Sequence, residues 1–136
     1  MSSESILVVE DDAVVIKVLE SQLKAAGYEV VCAAGAAEAI RATVTKSFDL
    51  MILDLTLGVC VNGLRDGLSL LQWMRRALPE AAFPVIVHTS DTSPDLAERP
   101  ELHGVACVFR KGTAIKDLIS AVRKALEEQT AKSKTA

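Results

Sequence analysis

The chain is poor in aromatic residues. Of its 136 residues one is Trp, one Tyr and three Phe, while half are hydrophobic. A core must therefore be built from Val, Leu, Ile and Ala, the composition of buried parallel strands. Long apolar runs are missing too. None approaches the ~18 residues of a membrane span, so no membrane association is expected. There is no basic excess. Fifteen Lys and Arg stand against 18 Asp and Glu, for a net charge of −3, which argues against a general nucleic-acid binder. Cysteine is scarce and odd in number, at positions 32, 60 and 107. No paired Cys/His spacing suggests zinc. Ser2 to Ser5 is polar and lacks the basic-then-apolar run of a secretory signal. A reduced, cytoplasmic chain is the expectation.

What is present is an alternation of short apolar runs and helical patterns. Ile6–Val9, Val30–Ala33, Leu50–Leu53, Val85–Val87 and Val105–Phe109 read as five strands. Val15, Val18, Leu19 and Leu23 follow the first run at helical spacing, and Gly27 stops that helix. Ala36, Ala39, Ile40, Thr43 and Val44 mark a second helix. Leu68, Leu71, Met74 and Leu78 mark a third, with Asp66 as N-cap and Pro79 past its end. Between strands four and five, Ser93-Pro94 starts a helix that Pro100 limits to one or two turns. Ile115, Leu118, Ile119, Val122 and Leu126 form the clearest amphipathic helix, with Thr113 as N-cap. Strands alternating with helices mean right-handed βαβ units and a parallel sheet. One domain takes residues 4–128, and 129–136 reads as a frayed polar tail.

In an open α/β sheet the chemistry gathers at the carboxyl ends of the strands. Strand one ends in Glu10-Asp11-Asp12, strand three in Asp54, strand four in His88-Thr89-Ser90 and strand five in Arg110-Lys111. Carboxylates crowded together raise one another's pKa unless a cation intervenes. All-oxygen ligation by one or two carboxylates suits Mg²⁺. A metal, a lysine and a hydroxyl around one carboxylate make a charge-neutralising cradle for phosphoryl transfer onto that carboxylate.

These pieces resemble the receiver domain of bacterial response regulators in two-component signalling. The match lies in Ile-Leu-Val-Val-Glu-Asp-Asp (6–12), Phe-Asp-Leu-Met-Ile-Leu-Asp-Leu (48–55), Asp-Gly-Leu-Ser-Leu-Leu (66–71), Pro-Val-Ile-Val-His-Thr-Ser (84–90) and Lys111. The resemblance implies a flavodoxin-like, doubly wound α/β sheet of order 2-1-3-4-5. It implies Asp54 as phosphoacceptor, Asp11 as a direct Mg²⁺ ligand, and Glu10 holding the metal through water. It makes the main-chain carbonyl of Thr56 a further ligand, Thr89 the switch hydroxyl and Lys111 the lysine that contacts the phosphoryl group. Ser90 takes the small-residue position beside the pocket. The implied partners are a histidine kinase or histidine phosphotransfer protein and a downstream protein target, with no nucleic acid. Asp12 reads as the cap of the first helix and not as a ligand.

Four features depart from the family pattern. Asp66 stands twelve positions after Asp54, so the loop 57–65 is longer than usual and lacks its proline. It reads as a lid, or as the source of Arg65 for the phosphoryl group, or, more plainly, as a tolerated surface insertion. Gly112 follows Lys111 where the family has proline, and a trans or locally altered link is expected, since a non-proline cis bond costs about 3 kcal/mol. The aromatic switch position is Val108, and alternation turns the adjacent Phe109 to the other face. Pro100 shortens helix four. Outside these motifs, His88 reads as a strand-end structural residue, Trp73 as packing, and Cys60 as the one thiol open to reaction.

Other functions fit less well. A haloacid-dehalogenase-type phosphatase wants a second acid two residues after its aspartate, and that position is Thr56. A flavodoxin-like carrier needs a Ser/Thr/Gly phosphate loop after strand one, where Glu-Asp-Asp would repel phosphate. A degenerate receiver that only binds protein remains open on the switch residues alone. The expected protein is no turnover enzyme. It catalyses only its own phosphorylation and dephosphorylation, with no output module attached. The residues leave its oligomeric state open.

Overall fold

The structure is a computed structural model that describes residues 3–55, 67–77, 83–90 and 94–135, apart from the side chains of 97, 101 and 130–135. Thr56, Cys60, Arg65, Asp66, Pro79, Ser93 and the long loop 57–65 therefore lie outside the described residues.

Five parallel strands stand in the order β2-β1-β3-β4-β5. They are β1 (Ser5–Val9), β2 (Glu29–Ala33), β3 (Leu50–Leu53), β4 (Val85–Thr89) and β5 (Cys107–Arg110). The helices are α1 (Ala13–Ala25), α2 (Ala36–Thr45), α3 (Gly67–Ala77) and α4 (Ile115–Thr135). Residue alternation along the strands divides the core between two faces. Leu7, Val9, Met51, Leu53, Val85 and Val87 pack with Ala36 and Ala39 of α2 and Leu70, Leu71 and Met74 of α3. Ile6, Val8, Leu50, Ile52 and Ile86 pack with Leu19 and Leu23 of α1 and Leu118, Val122 and Leu126 of α4. Helices on both faces explain why the strands are continuous apolar runs. No helix among the described residues is long and apolar enough to cross a membrane.

The punctuation of α1 follows the residues that flank it. The Asp12 carboxylate accepts from the Val14 and Val15 amides at 2.9 and 3.3 Å. At the other end the Gly27 amide reaches Lys24 and the Tyr28 amide reaches Leu23. That pair of bonds needs a left-handed residue, and Gly27 has φ +98.

Some boundaries differ from the sequence expectation. β4 extends through His88 and Thr89, because β5 pairs with it as far as Thr89↔Arg110. Val105 is not in β5; its amide turns back to the Leu102 carbonyl. α4 starts one residue after Ala114, whose carbonyl accepts from Asp117 and Leu118. Thr113 is therefore not its N-cap; the Thr113 amide closes a turn onto Arg110. α4 runs on to Thr135, through the segment expected as a tail. Residues 129–135 contain no Gly or Pro to stop it. The short helix expected before β5 is two 3₁₀ turns, Leu96–Glu98 and Pro100–Leu102. Leu96 and Leu102 are buried there, and the Arg75 guanidinium donates to the His103 carbonyl at 2.7 Å.

Candidate functional site

The strand register builds the site. Val9 pairs with Leu53, and Leu53 with Val87. One residue further on, Glu10, Asp54 and His88 stand level at the carboxyl edge. Main-chain bonds continue the ladder there, with Glu10 N–H donating to Ala33 and Asp54 N–H to Val9, each at 3.0 Å. The Lys111 amide donates to the Thr89 carbonyl at 2.8 Å, which brings β5's exit to the same edge.

The side chains then converge. Lys111 Nζ lies 2.8 Å from Glu10 Oε1 and 3.1 Å from Oε2. It lies 3.0 Å from Asp54 Oδ2. The Glu10 and Asp54 side chains are each 2% exposed and Lys111 23%. Glu10 is further oriented by the Asp11 and Asp12 amides, which donate to its Oε2 at 3.1 and 3.2 Å. Burial, opposed by Lys111 and reinforced by Asp54, pushes the Glu10 carboxyl up to about 7. Burial works against the Lys111 charge as well, yet its bonds to Glu10 and Asp54 outweigh burial and hold its pKa above the ordinary value. The ammonium is thus the fixed positive charge of the site.

One lysine does not saturate two buried carboxylates. Glu10 Oε1 meets the Lys111 ammonium at 2.8 Å and no further donor among the described residues. Glu10, Asp11 and Asp54 each offer an oxygen within 4.8 Å of the others. An exposed acid, two buried acids and an unused lone pair fit a hard divalent cation that keeps some of its waters.

Of the other residues singled out by sequence, Thr89 is fully buried at the end of β4, and Ser90 after it is exposed. Thr56 lies outside the described residues. Asp12 caps α1, as its position suggested. Val108 packs with the α2/α3 face and Phe109 with the α1/α4 face, so no ring shares the Thr89 face of β5. Gly112 has φ +100, and the described residues contain no cis peptide. His88 is buried level with Asp54, its Nδ1 without a hydrogen bond. Burial first, then the Lys111 charge, holds its pKa down, partly offset by Asp54. The imidazole stays neutral there.

Against known proteins, the family model for the response regulator receiver domain matches residues 6–123. The chain belongs to the response regulator receiver domain family. This receiver is 29% identical over 134 residues to the uncharacterized transcriptional regulatory protein YkoG of Bacillus subtilis, covering 98% of this chain and 55% of that protein. It is 33% identical over 95 residues to the transcriptional regulatory protein PrrA of Mycobacterium tuberculosis, covering 70% and 38%. The receiver thus spans between about a third and just over half of these relatives. In structure it is similar to a CheY-like receiver domain protein from Methanospirillum hungatei, with TM-score 0.83 and 25% identity over 96% of this chain and 99% of that one. It shares its fold with the response regulator TrrA of Thermotoga maritima, with TM-score 0.75 and 23% identity over 90% and 98%.

Gly67 carries little signal on its own in the sequence. The structure sets it against the main chain of Asp54, and its only sequence mark is the Asp-Gly pair that opens the third helix.

Proposed function

We propose that this receiver takes a phosphoryl group on Asp54 from a histidine kinase or histidine phosphotransfer protein and signals through protein contacts. One observation carries the reading: the Lys111 ammonium lies between two buried carboxylates, those of Asp54 and Glu10, at the carboxyl edge. A structural ion pair needs one acid. Among the described residues, Glu10, Asp11 and Asp54 gather around one protonated lysine, an acid-rich site that can take more positive charge.

An Asp54 oxygen attacks phosphorus, and the new oxygen–phosphorus bond forms as the donor's phosphorus–nitrogen bond breaks. The departing imidazole takes a proton from water. Lys111 remains protonated throughout, and its ammonium turns from the carboxylates to the arriving phosphoryl oxygens. Glu10, held by the Asp11 and Asp12 amides, stays in place as Asp54 becomes an acyl phosphate. Glu10, Asp11, Asp54 and the Thr56 carbonyl would hold Mg²⁺, which when bound supplies the charge that neutralises the incoming phosphoryl group. TrrA, of the same fold, was crystallised in complex with Mg²⁺ and a beryllium fluoride, which supports that choice. Thr89 supplies the hydroxyl that follows the phosphoryl group, and exposed Ser90 leaves the pocket mouth open. The receiver acts only on its own aspartate, in phosphorylation and in the later loss of the phosphoryl group, and is no turnover enzyme.

Val108 and the 3₁₀ turns change what lies beyond Thr89, not the acceptor. They bear on output.

The test is labelling by acetyl phosphate with and without Mg²⁺, read by intact mass. One phosphoryl group is expected on the wild-type chain with Mg²⁺ and none on Asp54→Asn. Label retained in Asp54→Asn sinks the assignment.

A further inference from the structure

α3 begins at Gly67, and its first amide has no partner within the helix. That amide donates to the Leu55 carbonyl at 2.9 Å. The chain that leaves β3 after Leu55 therefore comes back to the same point to start α3. The approach is closer than any side chain permits. A methyl group on Gly67 would overlap the Asp54 carbonyl oxygen and come within 2.9 Å of the Asp54 carbonyl carbon and the Leu55 Cα. All of these are main-chain atoms, which cannot swing aside as a flexible side chain does. Leu70, Leu71 and Met74 anchor α3 in the core, and Leu55 is buried in the same cluster. If Gly67 grew a side chain, the helix would be held by its leucines and the strain would fall on the peptide of Asp54.

We infer that Gly67 is a positioning residue for the phosphoacceptor. By lacking a side chain it seats the start of α3 flush on the Asp54 carbonyl and fixes the direction in which the Asp54 carboxylate leaves the sheet. The inference rests on the receiver reading and deepens it. It also explains how a connection longer than the family pattern is compatible with an ordered site. The Gly67–Leu55 bond closes that connection at its base. An acceptor displaced by about 1 Å is expected to react about a hundredfold more slowly.

The experiment compares Gly67→Ala with Gly35→Ala, a glycine with open space around it. Initial rates of acetyl phosphate labelling are measured at saturating Mg²⁺, in enough trimethylamine N-oxide to equalise the melting temperatures. Gly67→Ala is expected to label about a hundredfold more slowly and Gly35→Ala within twofold of wild type. A folded Gly67→Ala that labels at the wild-type rate overturns the inference while leaving the receiver reading intact. A wild-type chain that takes no label on Asp54 overturns the receiver reading and this inference with it. If no osmolyte concentration folds Gly67→Ala, hydrogen exchange in the wild-type chain decides. The Gly67 amide is expected to be as protected as the Asp54 amide, and free exchange there overturns the inference, because Gly67 would then not be seated at the end of β3.

Discussion

At each end of the sheet a lysine stands near a pair of acids, and the two ends do different things with them. At the carboxyl edge stand Glu10, Asp54 and Lys111; at the amino edge stand Glu29, Asp49 and Lys46. Each set is two acids and a lysine. At the amino edge each acid has its own donor. The Ser5 amide donates to Asp49 Oδ2 at 2.7 Å, and the Ser5 hydroxyl to Glu29 Oε2 at 3.1 Å. Lys46 lies 4.0 Å from Glu29, with side chains 45% and 60% exposed. Water screens that pair, and it serves to tie β1, β2 and the start of β3 together. At the carboxyl edge Glu10 and Asp54 are buried, and besides the amides that hold Glu10 they share the Lys111 ammonium. Residue types do not separate a clasp from a reactive site; burial and shared partners do.

The sharpest way to break this comparison is to remove each lysine. Lys111→Ala takes the ammonium away from two buried carboxylates and should cost about 3 kcal/mol of stability without divalent metal. Lys46→Ala should cost less than about 1 kcal/mol. Urea melts of both variants check this, and equal costs would erase the distinction.

Metal binding is the next test. Asp11→Ala should raise the Mg²⁺ half-saturation at least tenfold in titration calorimetry, about 1.4 kcal/mol. Lys111→Ala should leave it unchanged or tighten it, because the competing ammonium is gone. A matching loss in both variants would make Lys111 part of the metal site rather than its rival.

A smaller effect separates the edges by pH. Glu10 ionises near 7 in the folded chain and near 4.5 when unfolded. Its folded pKa is the higher one, so its contribution is fully present below about 4.5 and is lost as pH rises through about 7. Without metal, the wild-type melting temperature should fall relative to Glu10→Gln between these values. Saturating Mg²⁺ should remove the difference, since a bound cation favours the ionised acid. A wild-type profile parallel to Glu10→Gln would show that Glu10 is not strained.

Much of this was readable along the chain, and for local reasons. The strands are apolar runs because both sheet faces are covered. Asp12 caps α1 and Gly27 ends it through bonds that span only a few residues. Glu10, Asp54 and Lys111 could be placed at one edge because a parallel sheet delivers every strand's carboxyl end to the same side. The end of β4 was harder to read, since His88 and Thr89 join the strand only through pairing with β5.

The amino-acid sequence by itself determined the α/β class and which residue types meet at the carboxyl edge, while the strand order came only from its resemblance to receiver domains. The first two follow from periodicity and capping, which act over short stretches of chain. Only the tertiary structure decided that Lys111 bridges acids 101 and 57 residues away. It alone decided that those acids are buried while their counterparts at the other edge are wet, and that Gly67 rests on the peptide of Asp54. Those outcomes depend on distances between segments remote in sequence and on how much water is left between them, and neither is encoded in any local pattern.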